Sequence, residues 1–182
     1  PFEYHVFSEL GDAHNVKEEF FSSAMFVSGG TDLFPNMKRR QFTPKTLIGL
    51  RDLQELSTIV AEKYGNGLII GSGVSLSEVA KNPEIRKYFP ALAQAAGLVS
   101  APQLRNMGTI GGNLCLDTRC NYYNQTFPWR KSLGFCLKKD GDICWVALSS
   151  PKCLAVSSSD CAPVVIALNA ELYLEGPEGK RT

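Results

Sequence analysis

Four cysteines in a segment without a regular pattern constrain this chain more than any other feature. Cys120, Cys136, Cys144 and Cys153 are separated by 15, 7 and 8 residues, and the sequence between them shows neither a helical nor a strand period. A long loop without secondary structure is uncommon in a compact domain unless something fixes it. Four thiolates on one inorganic centre would fix it, because metal–ligand bonds then replace the missing hydrophobic core.

The residues alone leave the nature of that centre open. Structural zinc sites usually bring thiolates in close pairs, and no Cys-x-x-Cys occurs in this sequence. Four-cysteine iron–sulfur ligation has looser spacing, and the segment carries the aromatic residues that limit water around such a centre. Zinc and iron–sulfur ligation both stay open here, with disulfides as a third alternative. We expect Cys115 and Cys161 to be buried free thiols and not ligands, since each lies where an apolar side chain would serve.

Composition and charge exclude two classes of partner. The chain has 182 residues, a net charge of +1 and only one short basic cluster, Lys38-Arg39-Arg40, so no nucleic-acid groove is expected. Its apolar runs are too short to span a bilayer, so no membrane partner is expected. The N-terminal residues lack the basic start and apolar core of a signal peptide, which predicts a cytoplasmic protein.

Two glycine loops point to a phosphate-bearing ligand. The apolar run 24–28 predicts a buried strand that ends at Gly29-Gly30, where Thr31 or Asp32 would cap a short helix. Backbone N–H groups in such a loop bind phosphate oxygens, whereas the Asp32 carboxylate is expected to cap the loop's own amides. One such pair alone predicts a structural turn. A second loop at residues 108–113 shifts the prediction toward a dinucleotide with an extended pyrophosphate.

The remaining pattern predicts a mixed fold outside the Rossmann class. Gly71-Ser72-Gly73 begins a dinucleotide fingerprint, but the third glycine is absent, so we interpret it as a hairpin end before a capped helix. The other predicted elements are a strand at 46–50, a hairpin around 63–67, a capping-box helix at 75–82, a helix from Pro90 and a strand at 170–174.

Taken in order, these motifs resemble those of a known family. Val27-Ser28-Gly29-Gly30-Thr31-Asp32-Leu33 and Gly108-Thr109-Ile110-Gly111-Gly112-Asn113-Leu114 look like the FAD-binding segments of the xanthine oxidase, or molybdenum hydroxylase, flavoprotein subunits. Residues 117–120, 123–125 and 134–138, with the spacing of the last two cysteines, resemble the β subunits of 4-hydroxybenzoyl-CoA reductases. Those subunits differ from their relatives by an inserted loop that carries a 4Fe-4S cluster.

The resemblance implies an α+β fold: the two-lobed FAD-binding domain of the vanillyl-alcohol oxidase and xanthine oxidase flavoproteins, with an inserted Cys-rich loop. We expect lobe 1, with the pyrophosphate loop, at residues 1–51 and lobe 2 at residues 52–182. The 4Fe-4S insert would occupy about residues 117–156. Members of the family carry a further C-terminal domain, which we expect to be absent from this chain.

The resemblance also implies the cofactor-binding residues. Leu116 replaces a polar family residue, so any contact with FAD there would use the backbone. The cluster ligands would be Cys120, Cys136, Cys144 and Cys153. The FAD-binding set would be Val27, Ser28, Gly29, Gly30, Thr31, Asp32, Leu33, Thr109, Gly111, Gly112, Asn113, Leu116 and Asp160.

The implied activity is electron transfer through FAD and the 4Fe-4S cluster, within an oxidoreductase whose substrate reacts on another subunit. No residue of this chain is expected to be catalytic. The implied partners are a molybdopterin-binding subunit, a 2Fe-2S subunit and a ferredoxin-like electron donor or acceptor, with an aromatic acyl-CoA as extrapolated substrate. The alternatives are a non-redox nucleotide-binding module stapled by zinc and a stand-alone flavoprotein oxidase.

Overall fold

The computed structural model describes residues 1–62, 67–176 and 179–182, and the chain divides into two compact units. The first unit comprises Pro1–Thr31, Pro44–Cys115 and Ser159–Thr182, and the second comprises Asp32–Thr43 and Leu116–Ser158. The expected lobe boundary at residue 51 coincides with no limit of these units, because the chain on both sides of it packs into the first unit. The assignment of lobes therefore stays a prediction. The expected insert, residues 117–156, lies inside the second unit.

The described residues form short helices and strands. In chain order they are β1 (Glu3–Val6), α1 (Leu10–Phe20), β2 (Ala24–Val27), α2 (Leu33–Lys38), β3 (Thr46–Gly49), β4 (Ile59–Ala61), β5 (Leu68–Ile70), α3 (Leu76–Lys81), α4 (Pro83–Tyr88), α5 (Pro90–Leu98), α6 (Pro102–Met107), α7 (Ile110–Leu114), α8 (Phe127–Ser132), α9 (Ala162–Ala167), β6 (Leu174–Gly176) and β7 (Gly179–Arg181).

A parallel sheet with strand order β1-β3-β2 lies in the first unit. All four residues of the central strand β3 are buried, as expected for a parallel strand covered on both faces. Helix α1 covers one face, where Ala13 packs with Ala24 and Ile48. The parallel register places Val27, the last residue of β2, opposite Gly49. The predicted strands at 24–28 and 46–50 are confirmed, whereas β1 and α1 were not predicted.

Helices α3 to α7 and α9 also belong to the first unit, and most of them share its second hydrophobic core. This core contains the predicted helix from Pro90, which is observed as α5. Its fully or nearly buried members are Val74, Leu76, Val79, Ile85, Leu92, Ala93, Ala96, Ile110 and Cys161.

Side-chain caps fix the starts of α3 and α4. The Ser75 hydroxyl accepts a hydrogen bond from the Glu78 backbone N–H at 3.1 Å, as the predicted capping box requires. Asn82 Oδ1 accepts from the backbone N–H groups of Glu84 and Ile85, each at 3.0 Å. Helix α3 stops at residue 81 because the next helix begins with a proline, which cannot continue the preceding hydrogen-bond pattern.

Two antiparallel hairpins complete the first unit. Strands β4 and β5 pair with Ile59 opposite Ile70, which confirms the predicted hairpin, and its turn residues 63–66 lie outside the described residues. Strands β6 and β7 pair with Leu174 opposite Arg181. The predicted strand at 170–174 is wrong in its bounds: residues 170–173 are irregular, and pairing begins only at Leu174. Residues 177–178 of that turn are likewise outside the described residues.

The second unit contains two short helices, α2 and α8, and otherwise irregular chain. Its segment 116–158, hereafter the cysteine segment, is closed by an antiparallel bridge between Arg119 and Val156. The prediction of an irregular segment thus holds except for α8. Throughout the described part of the chain, no helix is both long enough and apolar enough to cross a bilayer.

Candidate functional site

The first glycine loop follows β2 and lies against the second loop within the first unit. A Cβ at Gly29 would lie 1.8 Å from the backbone oxygen of Met107, so only glycine allows this approach. Gly30 has a φ of 69°, a left-handed conformation that disfavours residues with a side chain. A Cβ at Gly108 would meet the Thr31 hydroxyl at 3.2 Å. The two predicted loops are therefore brought together.

The second glycine loop forms the start of helix α7, which was not predicted. The Thr109 hydroxyl caps this helix by accepting the backbone N–H of Gly112 at 3.1 Å. The Gly111 N–H donates to the backbone oxygen of Ser72 at 2.9 Å, and a Cβ at Gly111 would come within 2.6 Å of the Ser72 side chain. The turn Gly71-Ser72-Gly73 therefore contacts the second glycine loop, and we call this turn and the two glycine loops together the glycine-loop assembly. The two glycines of the turn were the only signal in the sequence for this contact.

Gly112 has no comparable packing reason to be glycine. Among the described residues, and apart from the backbone of its own helix, a Cβ there would meet only the hydroxyl of its capping residue, Thr109, within 4 Å. Gly112 is exposed, so it leaves a stretch of the second loop without a side chain, although its own N–H is engaged by Thr109. A phosphate group can approach such a stretch closely and bind to N–H groups that are not engaged within the loop.

Asn113 joins the second loop to residues 159–161. Its Oδ1 accepts hydrogen bonds from the Ser159 hydroxyl at 2.8 Å and from the Cys161 backbone N–H at 3.1 Å. Asp160 lies between these two partners and is exposed, so the chain places this predicted FAD residue beside Asn113. Burial, reinforced by the Asp160 charge, raises the pKa of the Cys161 thiol to about 11. Cys161 is fully buried, as predicted.

The predicted FAD residues divide between the two units. Asp32, Leu33 and Leu116 belong to the second unit. The others lie in the first unit: Val27, Ser28, Gly29, Gly30, Thr31, Thr109, Gly111, Gly112, Asn113 and Asp160.

The predicted role of Asp32 as a cap of the loop's amides is wrong. Asp32 stands at the N-cap of α2, but its side chain makes no capping hydrogen bond and its backbone is helical, whereas a cap normally needs extended backbone. Its carboxylate instead forms an ion pair with the guanidinium of Arg119. The second carboxylate oxygen accepts from Asn36 Nδ2 at 3.0 Å.

All four predicted ligand cysteines line one pocket in the second unit. Cys136 and Cys144 are buried, Cys120 is half-buried and Cys153 is exposed. Aromatic and aliphatic residues and one lysine complete the pocket, which is lined by Cys120, Tyr122, Tyr123, Cys136, Leu137, Lys138, Cys144, Trp145, Val146, Cys153, Leu154 and Ala155. The irregular chain therefore gathers thiols that are up to 33 positions apart in the sequence.

Two of the sulfurs interact with nearby backbone groups. Hydrogen bonds from the backbone of Ala147, then Leu154 and Val146, lower the pKa of the Cys144 thiol, against the opposing effect of its burial. The backbone N–H of Ala155 donates to Cys153 Sγ at 3.4 Å. Donors of this kind favour a thiolate, which is the form that binds metals.

Cys115 is exposed, so the prediction that it is buried is wrong; it ends helix α7 and falls outside the core. Among the residues that the structure describes, no three or more His, Cys, Asp or Glu side chains converge closely enough to hold one metal ion.

A buried arginine was missed by the sequence analysis. Arg130 is 2% exposed, and its guanidinium donates to the backbone oxygens of Arg39 at 3.2 Å and Arg40 at 2.9 Å. It also lies within 6 Å of the rings of three aromatic residues, Tyr123, Phe127 and Phe135. Because Lys131 follows it, the sequence pattern is typical of a solvated charged pair, and no signal marked Arg130 for burial.

The glycine-loop assembly defines an α/β domain with a candidate phosphate-binding surface, and comparison with known proteins gives the family. A family model described as "FAD binding domain in molybdopterin dehydrogenase" matches residues 1–182. The carbon monoxide dehydrogenase medium chain of Hydrogenophaga pseudoflava is 30% identical over all of this chain and 49% of its own length. The aldehyde oxidoreductase FAD-binding subunit of Escherichia coli K12 is 35% identical over 86% of this chain and 50% of its own length.

A solved structure agrees with these matches. The carbon monoxide dehydrogenase of Hydrogenophaga pseudoflava that lacks the Mo-pyranopterin moiety superposes with a TM-score of 0.60 at 36% identity, over 62% of this chain and 39% of that chain. The chain belongs to the family of FAD-binding domains of molybdopterin dehydrogenases. It spans about half the length of the curated relatives it matches.

Proposed function

We propose that this chain is an electron-transfer part of a molybdenum-dependent oxidoreductase and that it binds FAD and a 4Fe-4S cluster. The family assignment supports FAD, and the glycine loops supply backbone suited to its pyrophosphate. The observation that carries the cluster is the pocket lined by four cysteines. When bound, the flavin exchanges electron pairs and the cluster passes electrons singly, so the chain's own residues only hold and tune them.

In the first unit, Gly30 and the exposed Gly112 carry no side chain that would keep a pyrophosphate away from the two loops, although the Gly112 N–H itself is engaged by Thr109. The Thr109 oxygen is engaged as a cap, but its hydroxyl hydrogen can still be donated. The Asn113 oxygen holds residues 159 and 161, while its amide NH₂ group makes no hydrogen bond among the described residues. Such donors suit the oxygen-rich part of a dinucleotide. Val27, Ser28, Gly29 and Thr31 support the loop, and Leu33, Leu116 and Asp160 remain proposed contacts.

In the second unit, four cysteines line one pocket, a number that matches both a 4Fe-4S cluster and a tetrahedral zinc ion. The spacing in the sequence favours the cluster, because structural zinc sites usually bring their thiolates in close pairs and no Cys-x-x-Cys occurs in this chain. The N–H donor at Cys153 matches the hydrogen bonds to sulfur that adjust a cluster's reduction potential.

The proposal extends to the complex. The relatives are named as the medium chain or FAD-binding subunit of their enzymes. We propose that this chain likewise joins a molybdopterin-binding subunit and a 2Fe-2S subunit in the cytoplasm, with a ferredoxin-like protein as electron donor or acceptor. The resemblance of the cysteine segment extends the proposal to an aromatic acyl-CoA as the substrate on the molybdenum subunit.

Analysis of the anaerobically purified chain for flavin, iron, sulfide and zinc tests this proposal. We expect bound FAD and roughly four iron atoms per chain. Cys136→Ser should remove iron, because a hydroxyl is a poor ligand for the cluster, and should leave FAD bound. The matched control Cys115→Ser, at an exposed cysteine outside the pocket, should keep both cofactors.

Two outcomes would contradict this proposal. Zinc in place of iron would favour the zinc-stapled nucleotide-binding module. Full iron content in Cys136→Ser would remove the assignment of that ligand.

A further inference from the structure

The carboxylate of Asp32 is not suited to bind a phosphate. One of its oxygens pairs with Arg119 and the other accepts from Asn36, so both are engaged within the second unit. The side chains of the ion pair are 32% exposed for Asp32 and 25% for Arg119. A pyrophosphate beside this carboxylate would be repelled by it. The last polar residue of the first glycine motif is therefore committed to the cysteine segment.

Arg119 lies near the start of the cysteine segment, at the bridge that closes it. It directly precedes Cys120, and its backbone exchanges two hydrogen bonds with Val156: Arg119 N–H to Val156 O at 2.7 Å and Val156 N–H to Arg119 O at 3.0 Å. This bridge closes residues 120–155 into one loop that carries all four pocket cysteines. The Asp32 side chain thus anchors the residue at which that loop closes.

The residues that follow the C-terminal end of helix α2 form hydrogen bonds with the same segment. Arg130 donates to the backbone oxygens of Arg39 and Arg40, and Gln41 Nε2 donates to the Tyr123 oxygen at 2.6 Å. Helix α2, which begins right after Asp32, is therefore tied to the cysteine segment at both of its ends. The Asp32–Arg119 ion pair is therefore the contact at the N-terminal end of α2.

We propose that Asp32 is a positioning residue for the cysteine pocket and does not bind FAD. It fixes Arg119, which holds the Arg119–Val156 bridge closed and sets the place of Cys120. This inference rests on the proposed function, because it takes Cys120 as a cluster ligand. It predicts that a residue inside the flavin-binding sequence motif acts on iron retention.

The test compares Asp32→Asn, Arg119→Gln and the double variant in the full chain, purified anaerobically. Two quantities are measured: the rate of iron release to a ferrous chelator, and the Kd of FAD from flavin fluorescence. We expect about two- to fivefold faster iron release in each single variant, the range for a partly exposed ion pair. The double variant should be no faster than the single ones, because both substitutions remove the same interaction. The Kd of FAD should change by less than about twofold in all three.

Two further variants separate this role from a general loss of charge. Asp32→Glu keeps the carboxylate and should restore most of the iron retention. Asp52→Asn, which removes an exposed carboxylate of the first unit, should leave both measurements unchanged. A Kd for FAD weakened tenfold with unchanged iron release would overturn the inference, as would additive effects in the double variant.

Amide hydrogen exchange keeps this test independent of the cluster. In the iron-free chain, the Arg119 and Val156 amides should exchange about two- to fivefold faster in Asp32→Asn than in the wild type. Unchanged exchange at both amides would overturn the positioning role. A wild-type chain without iron but with this exchange pattern would instead contradict the proposed function and leave the role of Asp32 standing.

Discussion

At Gly29, the absence of a side chain matters because the second glycine loop occupies the space. A Cβ there would lie 1.8 Å from the Met107 oxygen and 2.6 Å from its carbonyl carbon. We expect Gly29→Ala to lower the free energy of unfolding by about 1–3 kcal/mol, since the two loops must move apart. Urea unfolding measures this difference, and flavin titration should show weaker FAD binding in the same variant.

Gly11→Ala is the matched control for that substitution. Gly11 lies in helix α1, and beyond the backbone of that helix a Cβ there would meet no described residue within 4 Å. The alanine should therefore raise the free energy of unfolding, by up to about 1 kcal/mol, because it restricts the unfolded chain. Equal losses in both variants would show that the loop contact at Gly29 is not the cause.

The buried thiol of Cys161 makes the stability of the protein depend on alkaline pH. Burial, then the Asp160 charge, raises its pKa from 9.0 to about 11 in the folded protein. Between these values the unfolded chain has lost the proton that the folded chain keeps, so stability is intact below pH 9 and falls as the pH rises toward 11.

Thermal unfolding between pH 8 and 11 should therefore show a steeper decline for the wild type than for Cys161→Ala, whose side chain does not titrate. Cys115→Ala, at an exposed thiol, should keep the wild-type slope. Parallel curves for the wild type and Cys161→Ala would contradict the raised pKa.

Among the elements, α4 depends most clearly on a single cap. Asn82 Oδ1 satisfies two backbone N–H groups that would otherwise lack partners at the helix start, and this start leads to the buried Ile85. Asn82→Ala should lower the free energy of unfolding by about 0.5–2 kcal/mol, whereas Asn82→Asp, which keeps an acceptor, should lose little. Chemical unfolding of both variants checks this, and a loss shared by Asn82→Asp would point away from capping.

The elements that the sequence predicted are those whose signals are local. The capping box at Ser75, the glycine turns and the strands 24–28 and 46–50 each depend on residues close in the chain. Strand β1 was missed because it is mostly exposed and becomes a strand only by pairing with β3. Helix α1 was missed because its apolar stripe is weak, with Ala13 as its only buried residue.

The site shows the same division between local and distant causes. The glycine motifs predicted their own loops. The pattern of the cysteines predicted one common centre, and all four cysteines line a single pocket. The partner of Asp32 could not be predicted, because Arg119 lies 87 positions away. The burial of Arg130 likewise depends on rings and carbonyl groups that only the folded chain brings around it.

For the molecule as a whole, charge is divided unevenly between the units. The residues of the second unit carry a net charge of +5 and those of the first unit −4, within a total of +1. A cluster held by four thiolates is anionic, so the basic second unit suits it. The acidic first unit carries the proposed pyrophosphate loops. We therefore expect FAD binding there to depend on short-range contacts with the loops, because the net charge of that unit opposes it.

If the two cofactors depend on different units, damage to one loop should spare the other cofactor. Gly30 has a φ of 69°, which a β-branched residue adopts only with strain. Gly30→Val should therefore lose FAD and keep its iron, as shown by flavin and iron content. Gly30→Asn, whose side chain tolerates this backbone conformation, separates strain from contact. If it unfolds like the wild type yet binds FAD poorly, the loop backbone contacts the cofactor. Loss of iron together with FAD in Gly30→Val would instead mean that the two cofactor sites fold as one.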